Sequence, residues 1–392
     1  MNPDDPYNFD TVIDRRGTAS VKWDKYKGRD IIPMWLADMD FPSPPAVIEA
    51  LHQRVEQGVF GYPTVPDELV RVVLSMLLTE YGWEVQPEWL VWLPGLVTGL
   101  NLSCRAAALR GEEVLTAVPV YPPFLTAPGL GHRNLTTVPL VREAGRWTFD
   151  FDRLASLITP ATRLFLLCNP HNPVGTVFTR EELASLAGIC DKYNLIICSD
   201  EIHCGLVLDP DKVHVPIATL DPAIANRTVT LMSPSKTFNL PGCAFAIIPA
   251  EPLRQKFCRA MAGMVPGPNL FSCTAALAAY RDGSGWRTAL LAYLRRNRER
   301  VSRAIQRMPG LSMDHVEATY LAWIDTRGAG IEAPGKFFER AGVGLGDGTD
   351  FGGPGFVRLG FACPQATLAE ALARMSRAMV NVSIPASQKD TR

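Results

Sequence analysis

Short apolar runs, each closed by proline, glycine or polar residues, recur along the first two thirds of the chain. WLVWLPG (89–95), EVLTAVPVY (113–121), RLFLLCNP (163–170), LIICSDE (195–201) and TVTLMSPS (228–235) have the length and closure of buried strands. Amphipathic stretches separate them. The clearest is REELASLAGICDKY (180–193), where Thr179 can cap the first turn and Glu182 follows three residues on. This alternation over residues 46–285 predicts a large α/β domain on a mainly parallel sheet. A long helical pattern (286–308) leads into TYLAWID (319–325), FVRLGFA (356–362) and a closing helix over 367–379. Residues 286–392, with the N-terminal segment 1–45, are expected to form a smaller α/β domain.

Charge and cysteine content narrow the function classes. Lys and Arg total 39 against 40 Asp and Glu, and no basic stripe stands out, so nucleic acid is not the expected partner. No apolar run approaches the ~18 residues that span a bilayer, and MNPDDPYNFDTVIDRR lacks the apolar core of a secretory signal. Nine cysteines, none in a C-x-x-C pair, read as reduced thiols of a cytoplasmic protein with no metal site. The polar end, SIPASQKDTR, is expected to fray.

Ligands of open α/β sheets bind beyond the carboxyl ends of the strands, and several predicted strands end in residues suited to one cofactor. Asp200 ends the apolar run LIICSD; a carboxylate there needs a cation, either a structural partner or the protonated ring nitrogen of pyridoxal 5′-phosphate (PLP). Asn172 lies in the proline-rich turn of LCNPHNPVG, where its amide could serve a ring phenolate or simply shape the turn. Lys236 follows a strand in SPSKTFNLPG, with Ser233 placed to bond a phosphate. His203 lies near the end of the Asp200 strand. Tyr121, in VPVYPPF, offers a ring face for stacking. LPGLVTGLN opens a helix whose Leu96 and Val97 N–H groups could hold the phosphate.

Together these segments resemble the class I/II aminotransferase superfamily of fold-type I PLP enzymes, and most closely the cystathionine β-lyase-type (MalY/PatB-type) C–S lyases. The resemblance rests on IPMWLADMDFPSPPAVIEAL (32–51), FGYP (60–63), LCNPHNPVG (167–175), SDEIH (199–203), SKTFNLPG (235–242), ATYLAWID (318–325) and FVRLGFACP (356–364). It implies the fold-type I PLP-dependent transferase fold, with a seven-stranded, mainly parallel sheet in the large domain. It also implies that Lys236 is the catalytic Schiff-base lysine, Asp200 the partner of the ring nitrogen and Asn172 a contact to the ring oxygen and substrate. Tyr121 would stack on the ring, His203 would stand where aminotransferases usually carry tyrosine, and Ser233, Leu96 and Val97 would hold phosphate. Tyr62 would reach the phosphate in the second subunit of a homodimer. Arg358 would clamp the substrate α-carboxylate as a fork, helped by the backbone of Ala37. The activity implied is α,β-elimination from a cysteine-derived S-substituted amino acid (cystathionine, a cysteine S-conjugate or a sulfoxide). An aminotransferase is the alternative, and a PLP-binding regulatory protein a more distant one. The chain departs from the pattern at Gly360, commonly Asn in these lyases, at Cys243, usually Leu, and at Ala244, where many aminotransferases place arginine.

Overall fold

The computed structural model describes residues 7–380 and 382, so the polar C-terminal end expected to fray lies outside the described residues. The large sheet has eight strands in the spatial order Leu90–Leu93, Ala244–Ile247, Thr228–Met232, Ile196–Asp200, Thr162–Cys168, Glu113–Val118, Asn134–Glu143, Arg146–Phe149. The five strands from Thr228–Met232 to Asn134–Glu143 run parallel, and antiparallel strands close both edges. The expected seven-stranded sheet thus carries an eighth strand, because the turn at Ala144 and Gly145, both at positive φ, folds Arg146–Phe149 back as a hairpin. Three strands escape the apolar-run reading. Asn134–Glu143 is polar and half exposed, Arg146–Phe149 is only four residues long, and Ala244–Ile247 follows a proline-glycine turn.

The central strands read as unbroken apolar runs because helices cover both faces. Arg180–Lys192 and Phe151–Ser156 pack on one side around Phe149, Phe165, Phe178 and Leu186. Leu96–Ala107 and Glu251–Met261 pack on the other around Leu100, Leu164, Leu231 and Phe257. The Arg180–Lys192 helix starts with the full reciprocal cap: Glu182 N–H donates to Thr179 Oγ1 at 3.2 Å, and Thr179 N–H to Glu182 Oε2 at 2.7 Å.

The C-terminal part carries a four-stranded sheet ordered Ser312–Met313, Leu321–Asp325, Phe356–Gly360, Gly346–Asp347. The long helix Ser284–Gln306 backs it, with Asn297 Nδ2 donating to the carbonyls of Phe361 and Cys363 at 2.9 Å each. The N-terminal segment joins this part through Ile32–Pro33, which pairs in parallel with Val343–Gly344. The tight turn before the Phe356–Gly360 strand depends on Gly348. A Cβ there would lie 2.2 Å from the Gly353 carbonyl oxygen and 2.4 Å from that of Phe356, both backbone atoms that cannot rotate away. Gly348→Ala is therefore expected to destabilise the protein by about 1–3 kcal/mol, read as a lower denaturant midpoint at unchanged slope.

Candidate active site

Because the central strands are parallel, their carboxyl ends gather on one edge of the sheet, and chain segments just beyond them meet there. Asp200 is the last residue of its strand, Asn172 follows the Thr162–Cys168 strand by four residues, and Lys236 follows the Thr228–Met232 strand by four. Tyr121 caps the helix Pro122–Leu130, just past the Glu113–Val118 strand. Arg358 comes from the C-terminal sheet, and Trp35 and Ala37 from the N-terminal segment.

Asp200 is 3% exposed, and among the described residues its carboxylate accepts only from the Ile202 N–H, at 3.1 Å. It belongs to no ion pair among the described residues. Burial pushes its carboxyl up to about 7, against a reference near 4. Burial lowers the Lys236 ammonium to about 8; Arg358 adds to that effect, while Asp38 and Asp200 oppose it. Lys236 Nζ donates to the Ala37 carbonyl at 2.6 Å, and the Tyr320 hydroxyl donates to the same oxygen at 3.1 Å. Arg358, 3% exposed, donates through Nη1 to Asn172 Oδ1 at 2.9 Å and through Nη2 to the Trp35 carbonyl at 2.7 Å, while its Nε is buried without a partner. His203 is buried, its Nδ1 has no partner, and burial near Lys236 and Arg358 holds the ring neutral. The ring lies edge-on to Tyr320, with centroids 6.2 Å apart. Burial and the nearby Asp200 charge raise the Tyr121 phenol.

These features suit PLP. A protonated ring nitrogen is the cation that the Asp200 carboxylate lacks, and the lowered amine of Lys236 is poised to react with an aldehyde. A helix start that suits an anion is present as well. The helix Leu96–Ala107 begins at Gly95 with no side-chain cap, which leaves the first-turn N–H groups of Leu96 and Val97 to an anion. Ser233 is already engaged: its Oγ lies 2.7 Å from the Cys243 carbonyl, accepts from Ser235 N–H at 3.1 Å and sits 2.7 Å from Ser235 Oγ. Its hydroxyl must turn from that carbonyl to donate to phosphate. Tyr62 stands apart from the rest, wholly exposed in a loop with Val59 and Phe60, also exposed.

The structure thus brings Lys236, Asp200, Asn172, His203, Arg358 and Ala37 together and leaves Tyr62 outside. Ala37 offers its carbonyl to the lysine, so only its N–H is free to serve a carboxylate. Reading residue by residue did not reveal Trp35, Tyr320 and Asp38. Trp35 and Ala37 act through backbone oxygens, which no side-chain pattern reveals; the one signal was that all three lie inside segments carrying the resemblance. Gly360 donates its N–H to the Met34 carbonyl at 2.8 Å, and a Cβ there would meet the Met34 and Leu36 oxygens at 3.3 and 3.5 Å. The strand bearing Arg358 therefore rests directly on the N-terminal backbone. Ala244 and Cys243 are buried, so no cation occupies those positions.

A carboxyl whose folded value is raised costs stability that appears as pH climbs past about 4, where the unfolded chain ionises, and is complete above about 7. In cofactor-free protein, Asp200→Asn should therefore raise unfolding stability by on the order of 2–4 kcal/mol at pH 8. The gain should shrink toward zero at pH 4, measured by denaturant titration at both values.

Three relatives are similar to this chain over nearly its whole length. Cystathionine beta-lyase PatB of Bacillus subtilis (strain 168) is 36% identical over 386 residues, covering 95% of this chain and all of its own. The crystal structure of OvoB superposes with a TM-score of 0.94 at 46% identity, covering 96% of this chain and 100% of that one. The PLP-bound C–S lyase from Staphylococcus hominis superposes at 0.90 and 32% identity, covering 96% and 98%. The sequence model for aminotransferase class I and II matches residues 29–375, and the chain belongs to that family.

Proposed function

We infer that the chain is a PLP-dependent C–S β-lyase. It would eliminate the sulfur group from a cysteine-derived S-substituted amino acid (cystathionine, a cysteine S-conjugate or a sulfoxide) to give pyruvate, ammonia and a sulfur-containing product. The observation that carries the reading is the buried Asp200 carboxylate without an ionic partner, facing a lysine whose amine is lowered to about 8. The C–S lyase relatives decide the reaction type within the family.

When bound, PLP supplies an aldehyde for the substrate amine and a protonated ring that withdraws electrons from Cα. The chain supplies the rest. Asp200 would keep the ring nitrogen protonated, and the Leu96 and Val97 N–H groups with Ser233 would hold the phosphate. Tyr121 would cover a ring face, and Asn172 would contact both the ring oxygen and the substrate. Arg358 binds the α-carboxylate as a fork, its orientation set by Asn172 and the Trp35 carbonyl. Lys236, unprotonated near neutral pH in an appreciable fraction, removes the Cα proton. The Cβ–S bond then breaks, the sulfur departs with the electron pair, and the released aminoacrylate takes up water to give pyruvate and ammonia. His203, held neutral, adds no second cation beside Arg358.

The exposed loop at Val59, Phe60 and Tyr62 supports a homodimer in which Tyr62 of each copy completes the other's phosphate site. Among the described residues no helix is long and apolar enough to cross a membrane. The nine free thiols suit a reducing cytoplasm.

The purified protein should show a visible absorbance band with PLP that borohydride bleaches. With L-cystathionine or a cysteine S-conjugate it should release pyruvate and a thiol in equal amounts. Lys236→Ala should lose at least about 10²–10⁴-fold in turnover while keeping its circular dichroism spectrum. Conversion to pyridoxamine phosphate without pyruvate would mean an aminotransferase instead, and no band after reconstitution would overturn the cofactor. Arg358→Ala should raise KM for the amino acid by on the order of 10²-fold, checked in the pyruvate assay.

A further inference from the structure

The segment Trp35–Asp40 carries no catalytic side chain named so far, yet two of its carbonyls hold the two cations of the site. The Trp35 oxygen accepts from Arg358 and the Ala37 oxygen from Lys236. Such a segment works only if its backbone is fixed. Three sets of contacts fix it. Asn239, three residues after Lys236, accepts from the Met39 N–H and donates to the Met39 carbonyl, both at 3.0 Å. The Asp40 N–H donates to the Ala362 carbonyl at 3.0 Å. On the outer side, four charges lock together. Arg15 bonds Asp38 at 3.0 Å and Asp40 at 2.7 Å, while Lys22, 3% exposed, bonds Asp40 at 2.7 Å and lies 3.4 Å from Asp38. Lys22 also donates to the Asp38 carbonyl at 3.2 Å, and Trp23 Nε1 donates to Asp40 Oδ1 at 2.9 Å.

The four charges do not have equal roles. Asp40 is nearly sealed and is satisfied by three donors, as a purely structural carboxylate would be. Asp38 is the residue after Ala37, keeps a quarter of its side-chain surface, and acts on the field at Lys236.

We propose that Asp38 is a positioning residue for Lys236: gripped by Arg15 and Lys22, it holds the Ala37 carbonyl against the lysine amine and adds a negative charge behind it. The proposal rests on the lyase reading only for what Lys236 does once cofactor is bound. The charged and titratable groups around the amine are Arg358 from the Phe356–Gly360 strand, Asp200 at the end of its strand, His203 just past it, and Asp38. Tyr320 meets the amine through the shared Ala37 oxygen. Arg358 disfavours the ammonium and Asp38 favours it, ahead of Asp200. Removing the Asp38 charge and loosening the carbonyl both disfavour the ammonium, so the two effects have the same sign.

The test is a pH titration of Lys236 in cofactor-free protein, followed by NMR after reductive ¹³C-methylation of the lysines. Assignment comes from the resonance missing in Lys236→Arg. Asp38→Asn should lower the Lys236 midpoint by about half a pH unit or more. Asp38→Glu, which keeps the charge, should restore most of that shift. Asp14→Asn, which removes an exposed acid beside Arg15, should leave the midpoint in place. In holoenzyme, Asp38→Asn should lower kcat by about 10-fold or more and move the acidic limb of the kcat profile down in pH. An unchanged Lys236 midpoint in Asp38→Asn overturns the proposal even if the melting temperature falls, since a structural carboxylate would do only that. A shifted midpoint in a protein that releases no pyruvate would uphold the positioning role while defeating the lyase reading.

Discussion

One buried carboxylate sets the terms for this fold. Asp200 sits where five parallel strands deliver their carboxyl ends, in surroundings too apolar to leave a negative charge unanswered. Among the described residues no ion pair reaches it. Instead the chain surrounds the position with a lysine, an arginine and an uncharged histidine, and leaves a helix start bare beside them. Each of these choices costs stability in the empty protein, and each becomes favourable once a flat, anionic, ring-protonated ligand lies between them. The apolar faces of the sheet carry that cost: its central strands are almost wholly buried, and helices cover both sides.

The sheet and the lysine were legible because they are written in local pattern. Strand-length apolar runs end in polar residues, and the Thr179–Glu182 cap matches its helix to within a residue. The strands next to the two edges were not legible. Asn134–Glu143 exposes half its residues, so it alternates weakly, and Ala244–Ile247 is too short to stand out after a turn. Asp200, Lys236 and Asn172 were readable because burial forces chemistry on polar side chains. Tyr320 was not, because it acts on the Ala37 oxygen 283 positions away, and Asp38 was not, because it acts through its neighbour's carbonyl on a lysine that is also distant in sequence.

Arg358 shows where residue type alone misleads. An arginine after an apolar pair in a C-terminal strand looks like a solvated edge residue, yet here it is buried under Phe351, with its guanidinium 4.5 Å from the ring centroid. Two of its three nitrogens are bonded before any ligand arrives, so the fork is aimed in advance and little freedom is lost on binding. The aim comes from the Asn172 turn and the Trp35 carbonyl, which belong to different parts of the chain.

The bond between Arg358 and Trp35 joins residues 323 positions apart, and the pairing of Ile32–Pro33 with Val343–Gly344 is nearly as distant. The N-terminal segment meets Lys236 and Asn239 in the middle of the chain, but its bond to the carboxylate-binding arginine needs a strand more than three hundred residues further on. A chain cut short before the Phe356–Gly360 strand would keep the lysine and lose the arginine clamp.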